Sequence, residues 1–311
     1  MRNSVWTMML SLVCYLWLGV DTARSMARSM AGAPLRLMHR LRLPRGLRQC
    51  ALAAGLALLA HTAAATEVIP LYTYYADLPF AVSGADNITA KLAGWLTQRA
   101  QGRYLFVATQ LPRRRLDAMI HEPHWNGVVA WANPLWFGED VHPRNSWSHA
   151  YMMDANLVVS LRSHPIVYDS DRSLEGLRLG SVLGFSYPDI EDLIKSGKLV
   201  RDEANSELQN LLRLKAGRVQ VAFLQASSLP YFQQALPDFE QWAYIAQKPR
   251  TVFYRYLFTS QGQPELMTFL NQQLDVLRTD KDWQSLLGTC ELSVQHAPGP
   301  RKIGHCWSKL P

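Results

Sequence analysis

The chain has 311 residues, of which 48% are hydrophobic and 18% are charged, so it can form one large core or two ordinary ones and is not wholly disordered. Its net charge of +7 is concentrated at the front: residues 1–65 hold eight of the 32 basic residues and one of the 25 acidic residues, which leaves 24 of each in residues 66–311. A neutral body has no long-range field to attract a polyanion, so nucleic acid is not an expected partner.

Residues 38–65 have the three parts of a secretory signal peptide. A basic stretch that ends at Arg48 precedes an apolar run that begins at Cys50, and small residues follow up to Ala65. Cleavage there predicts a mature chain that begins at Thr66 and resides in the periplasm.

A second apolar run, from Val5 to Val20, precedes this signal and is short for a membrane span. Two export segments in series have no evident physical use. One interpretation is that translation begins at Met30 or Met38. The alternative is an uncleaved anchor.

From Val68 onward, short apolar runs alternate with amphipathic helical stretches, which is the α/β pattern. The predicted strands are 68–74, 104–110, 127–132, 156–161, 178–182, 219–224, 243–245 and 253–258. The predicted helices are 88–100, 113–121, 187–196, 206–216, 229–234 and 264–280. Ser206, with Gln209 three residues later, forms a capping box that marks the start of one helix.

The spacing of these elements predicts two lobes, 66–160 and 161–250, and a segment 251–311 that returns to the first lobe before the C-terminal tail. Crossing strands would join the lobes. The cleft between them is the expected place for a ligand.

The exported part keeps two of the four cysteines, Cys290 and Cys306. An even pair in an oxidising compartment predicts one disulfide, which would stabilise its short loop by about 3 kcal/mol. The alternative is two free buried thiols.

Four stretches carry a resemblance to a known family. Residues 68–80 read VIPLYTYYADLPF, residues 111–119 read LPRRRLDAM, residues 173–187 read SLEGLRLGSVLGFSY and residues 217–225 read GRVQVAFLQ. In order and spacing they resemble the periplasmic solute-binding proteins of ABC importers, the family that includes the polar amino acid binders.

This resemblance implies a type 2 periplasmic-binding fold with two α/β lobes around a ligand cleft. It also implies a monomer without a cofactor and without enzymatic activity, which captures a small solute and delivers it to an ABC permease in the inner membrane.

The loop that begins at Val182 leaves a predicted strand and opens a predicted helix, so free backbone N–H groups there suit an anion. Gly184 permits a tight turn, Ser186 adds a hydroxyl, and by the resemblance this loop would meet a ligand carboxylate or a similar group. The alternative is an ordinary capped turn without a ligand.

Aromatic residues are dense near the predicted cleft. By the resemblance, the segment before Phe80 supplies a ring to the ligand, so the candidates are Tyr74 and Tyr75, with Trp131 or Trp136 from the crossing region. Phe80 itself and Phe185 complete the predicted ring set, although at least half of the nearby rings should belong to the core.

Two departures from the family argue against an ordinary zwitterionic amino acid. The Arg of a Thr-x-x-Arg motif, which pairs with a ligand carboxylate, has no counterpart in the stretch around Asn133. The acid that holds an ammonium group is replaced by Gln225. Asn133, Gln225 and the rings therefore predict a neutral or weakly polar planar solute.

Other chemistry is poorly supported. Gly184 and Ser186 form half of a hydrolase elbow, but Pro188 stands where its second Gly belongs. His121 and His124 flank Glu-Pro, which indicates a turn instead of a helical zinc motif. The three arginines at 113–115 begin a predicted helix. Either one of them faces the cleft, or all three belong to a solvated basic turn.

The predicted function is solute binding for transport. Two alternatives stay open: a sensing or accessory module of the same fold, and a lyase or dehydratase built on it, which would need a carboxylate or His in the cleft.

Overall fold

The computed structural model describes residues 65–84 and 87–286. The predicted signal peptide, the upstream apolar run and both cysteines of the predicted disulfide lie outside these residues and stay predictions. Within the described ranges, no helix combines the length and the hydropathy that a bilayer crossing needs.

Ten strands and eight α-helices make up the described chain. The strands are β1 Glu67–Thr73, β2 Tyr104–Gln110, β3 Val128–Ala132, β4 Asn145–Trp147, β5 Met152–Leu161, β6 Arg178–Val182, β7 Val200–Ala204, β8 Val221–Gln225, β9 Ala243–Ile245 and β10 Thr251–Ser260. The helices are α1 Ile88–Arg99, α2 Arg113–Ile120, α3 Glu191–Lys195, α4 Glu207–Lys215, α5 Leu229–Ala235, α6 Phe239–Trp242, α7 Pro264–Leu277 and α8 Lys281–Leu286.

The strands follow one path, β2-β1-β3-β10-β5-β8-β6-β7, with β4 beside β10 and β9 beside β5. In the first lobe, β1 pairs in parallel with β2 and β3. In the second, β6 pairs in parallel with β7 and β8. This arrangement confirms the predicted α/β fold with two lobes.

Strand β10 joins the two lobes. Its end, from Tyr256 to Ser260, pairs with β3 and β4 of the first lobe, whereas Thr251 to Arg255 pairs with β5, which continues into the second lobe. The chain therefore crosses between lobes along two antiparallel strands.

Each lobe has its own core. In the first, α1 and α7 bury apolar residues at helical spacing, such as Leu92 with Leu96 and Leu270 with Leu274. The second lobe buries both faces of its sheet: Val158 and Val159 lie in two different clusters because successive strand residues point to opposite faces.

Most predicted elements are present within a few residues of their predicted bounds, but four are new. These are β4, β7, α6 and α8. Strand β7 reads VRDEA and is half-exposed, so it lacks the apolar run that identifies a strand. The helix predicted over 187–196 is divided into a 3-10 turn, Pro188–Ile190, and the five-residue α3. Strand β5 runs through the lobe boundary predicted at residue 160, and the predicted boundaries stay predictions.

Candidate functional site

A small cavity lies between the two lobes, and residues of both lobes line it. The first lobe contributes residues from the end of β1, from the start of α2 and from the segment after β3. The second lobe contributes residues from β5 and β8, from the loop after β6, from the first turn of α4 and from the position just before β10. The lining residues are Tyr74, Tyr75, Arg113, Trp136, Asn156, Phe185, Ser186, Tyr187, Glu207, Phe223, Gln225 and Arg250.

Three rings from the two lobes meet at this cavity. Tyr74 and Tyr75 stack with their ring centroids 4.6 Å apart, and Phe185 of the second lobe meets both edge-on at 5.6 and 5.5 Å. Burial raises the pKa of both tyrosines, so their hydroxyls are neutral donors or acceptors. These rings supply an apolar wall that is suited to a planar group.

Each of the two arginines of the cavity has a carboxylate partner. The Arg113 side chain donates to Asp117 at 2.7 Å, and its guanidinium lies 4.1 Å from the Phe137 ring centroid. Arg250 pairs with Asp189 and lies 4.5 Å from the Phe223 centroid. Both positive charges are therefore largely compensated within the protein.

Glu207 is the one acidic side chain among the lining residues, and it lies beside Gln225. It is the first residue of α4, it is 5% exposed, and its Oε1 accepts a hydrogen bond from Gln225 Nε2 at 2.5 Å. Burial, followed by the negative charge of Asp77, raises the pKa of Glu207 well above its ordinary value. The neutral acid is therefore favoured.

Beneath the cavity, a fully buried ion pair links the crossing strands. Arg255 of β10 donates to Asp154 of β5 at 2.7 Å, to the Tyr75 hydroxyl at 2.9 Å and to the Trp131 carbonyl at 2.9 Å. The Ser227 hydroxyl of the second lobe also donates to Asp154, at 2.6 Å. This network holds parts of both lobes at the point where the chain crosses.

Five of the nine predicted ligand residues line the cavity: Tyr74, Tyr75, Phe185, Ser186 and Gln225. That they bind a ligand stays a prediction. The structure also places Trp136 on the cavity wall, the residue that the sequence offered as the alternative to Trp131.

The other four predicted ligand residues do not line the cavity, for physical reasons. Phe80 and Trp131 are fully buried in the first core, with their ring centroids 5.0 Å apart. Asn133 caps the turn after β3, since its side chain accepts from the Leu135 amide and donates to the Tyr254 carbonyl. Gly184, at φ +80°, faces Arg113: a Cβ built there would lie 3.3 Å from Arg113 Cβ.

The predicted anion loop has fewer free donors than expected. Its Phe185 amide donates to the Val182 carbonyl within the turn. The helix that follows, α3, has only five residues and thus a small dipole. Anion binding by this loop stays a prediction.

Several lining residues, chiefly Glu207 and Arg250, were not predicted from the sequence. For Arg113 the sequence did not decide between the cleft and solvent. The signal for Glu207 was its position in the first turn of the firmly predicted helix after Ser206. For the turn at His121, the ring contacts the Asp117 carbonyl and Asp140, and the described residues form no cluster that could hold a metal ion.

We expect Glu207→Gln to stabilise the protein more at about pH 8 than at about pH 4. Below the ordinary pKa of 4.5, the carboxyl is protonated in both the folded and the unfolded chain. Above it, only the unfolded chain ionises freely, so stability falls until the pH passes the raised pKa. Each pH unit between the ordinary and the raised pKa lowers the free energy of unfolding by about 1.4 kcal/mol.

Urea unfolding of both proteins across this pH range measures the effect. The exposed Glu139→Gln is the control and should leave the pH dependence of stability unchanged. Parallel curves for wild type and Glu207→Gln would show that Glu207 ionises normally in the folded protein.

No protein-family model and no curated protein matches the chain. Solved structures do match its fold. An ancestral arginine-binding protein bound to arginine has a TM-score of 0.59 and 14% identity, and the match covers 71% of this chain and 97% of that one. A binding component of an ABC transporter from Wolinella succinogenes, complexed with lysine, has a TM-score of 0.56 and 12% identity, with coverage of 70% and 93%.

A third match is an ancestral amino acid-binding protein that is a precursor of cyclohexadienyl dehydratase, with a TM-score of 0.53, 16% identity and coverage of 70% and 93%. The chain therefore has the type 2 periplasmic-binding fold, as its sequence motifs predicted. Among the solved structures that share this fold with it are binding proteins for arginine and for lysine.

Proposed function

We propose that this chain binds a small, uncharged or weakly polar solute in the periplasm by closure of its two lobes and delivers it to an ABC permease. The observation that carries the proposal is a set of three unpartnered buried atoms in side chains of the same cavity. These are Glu207 Oε2, Gln225 Oε1 and Arg250 Nε. Their side chains belong to residues that are at most 9% exposed.

Buried polar atoms in folded proteins almost always have a hydrogen-bond partner. Leaving one unpaired costs about 1–3 kcal/mol, so three around one cavity support an occupant that supplies the missing partners, and in this proposal the solute is that occupant. Such a ligand would accept from Arg250 and from the protonated Oε2 of Glu207, and would donate to Gln225. Three other unpartnered atoms, on Arg99, Trp147 and Trp242, do not line the cavity.

The charges around the cavity support an uncharged solute. Arg113 and Arg250 are paired with Asp117 and Asp189, and the raised pKa of Glu207 favours its neutral form. A zwitterionic ligand needs one unpaired protein charge of each sign in the cavity. Here both arginines are paired with carboxylates, and the one lining acid is favoured in its neutral form. The rings of Tyr74 and Phe185 then hold the planar part of the solute.

A thermal-shift screen over neutral, cationic, anionic and zwitterionic metabolites tests this proposal, because a ligand at 100 times its dissociation constant adds about 2.7 kcal/mol of stability. Hits are confirmed by calorimetric titration. Binding of arginine or lysine in preference to every neutral compound would contradict the uncharged-solute proposal. Failure of every class would contradict solute binding itself.

We expect Gln225→Glu to shift the preference of the site toward cations. The new carboxyl would lie beside Glu207, and two such groups share one proton because both cannot ionise freely. The cavity then gains about one negative charge. Calorimetry should show weaker binding of the neutral hit and stronger binding of L-arginine.

The matched control is Gln241→Glu, which adds the same charge at an exposed position of the second lobe. It should leave both affinities unchanged. An unchanged preference in Gln225→Glu would remove Gln225 from the ligand site.

A lyase is the second candidate, because the cavity holds a carboxyl whose neutral form is favoured and which can donate a proton. Prolonged incubation of each hit with stoichiometric protein, followed by NMR, separates the two functions. An unchanged compound supports binding, whereas elimination that Glu207→Gln abolishes supports a lyase. A sensory role predicts a gene neighbourhood without a permease and ATPase pair.

A further inference from the structure

We propose that Asp77 is a positioning residue that ties the two lobes together and holds Glu207 at the cavity. Asp77 lies in the first lobe, four residues after β1 ends, and Glu207 opens α4 in the second lobe. The Asp77 carboxylate accepts hydrogen bonds from the backbone amides of Glu207, at 2.7 Å, and Leu208, at 3.4 Å. We call this arrangement the Asp77 latch.

The latch completes the N-terminal cap of α4 from outside its own lobe. The first amides of a helix have no intrahelical acceptor. Ser206 accepts from the third of them, that of Gln209, at 3.1 Å. Asp77 accepts from the first two, and its charge also interacts favourably with the positive end of the helix dipole.

The side-chain hydrogen bonds that the described chain gives Asp77 go to the second lobe, at Ser206, Glu207 and Leu208. The latch therefore exists only while the lobes are together. Separation of the lobes would expose the Glu207 and Leu208 amides of α4 to water. It would also free the backbone that positions the Glu207 side chain at the cavity.

A second polar contact between the lobes is an ion pair that is largely exposed to solvent. Arg114 and Glu203 lie 3.8 Å apart, and the Arg114 side chain is 70% exposed. Exposed pairs of this kind contribute little. Arg114→Gln is therefore a matched control that also removes a polar contact between the lobes.

The test uses hydrogen exchange and small-angle scattering of the ligand-free exported protein. In Asp77→Ala we expect the amides of Glu207 and Leu208 to exchange at least about tenfold faster, since they lose a charged acceptor. The radius of gyration should increase because the lobes separate. Asp77→Asn keeps one acceptor oxygen and should fall between Asp77→Ala and wild type.

An unchanged radius of gyration in Asp77→Ala would overturn the proposal, even with faster exchange, because Asp77 would then be only a local cap. An equal change in Arg114→Gln would also overturn it. The inference rests on the proposed function only for the role of Glu207. These measurements need no ligand, so failure of the metabolite screen would contradict the function and leave the latch standing.

Discussion

Replacing Arg255 by methionine is expected to lower the free energy of unfolding by about 3–5 kcal/mol. The substitution leaves Asp154, 1% exposed, without its cationic partner in a site that water does not reach. It also removes the donors to the Tyr75 hydroxyl and the Trp131 carbonyl. Urea unfolding of the wild type and of Arg255→Met measures the loss.

The double variant Arg255→Met, Asp154→Leu shows how much of the loss comes from the orphaned charge. We expect it to be less destabilised than the sum of the two single variants, because no unpaired charge remains. A loss below about 1 kcal/mol in Arg255→Met would mean that Asp154 is neutralised or solvated without Arg255.

Trp131→Ala is expected to cost about 3–5 kcal/mol of stability, the range for large aromatic residues removed from a core. The side chain is fully buried, its indole N–H donates to the Thr89 hydroxyl at 2.8 Å, and its ring contacts Phe80 and Tyr151. Trp131→Phe keeps most of the apolar contact and should lose chiefly that hydrogen bond, about 1 kcal/mol. Both are measured by urea unfolding.

This substitution also separates the two roles that the sequence left open for Trp131. If Trp131 is a core residue, its removal lowers the stability of the protein and leaves the affinity of the folded protein for its solute nearly unchanged. If Trp131→Ala instead abolishes binding with a loss of stability below about 1 kcal/mol, the indole contacts the ligand, as the sequence analysis expected.

The five aromatic residues among the predicted ligand residues differ in outcome because the sequence does not show in which direction a ring points. Tyr74 was a candidate from the segment before Phe80, and Trp131 was a candidate from the crossing region. Tyr74 follows the end of β1 and reaches the cavity, whereas Trp131, inside β3 with φ +62°, packs inward on Phe80. Which of them faces the ligand depends on neighbours distant in sequence.

Glu207 is a second residue whose place in the site depends on neighbours that are distant in sequence. Its helix was predicted from a local capping box, but its partners Gln225 and Asp77 lie 18 and 130 residues away. The sequence shows Gln225 in place of the acid that the resemblance implies. That a different carboxyl, Glu207, occupies the adjacent space is visible only in the structure, because the two side chains come together only when β8 and α4 pack against each other.

The sequence by itself determined the α/β class, the order of most strands and helices, and the motif order that indicates a two-lobed fold. These features follow from local periodicity, caps and turns, which act over a few residues. The tertiary structure alone decided which rings face the cavity, that Asp154 and Arg255 pair between the crossing strands, and that Asp77 meets the first turn of α4. The physical reason is that burial, hydrogen-bond pairing and pKa depend on groups that folding brings together from distant parts of the chain.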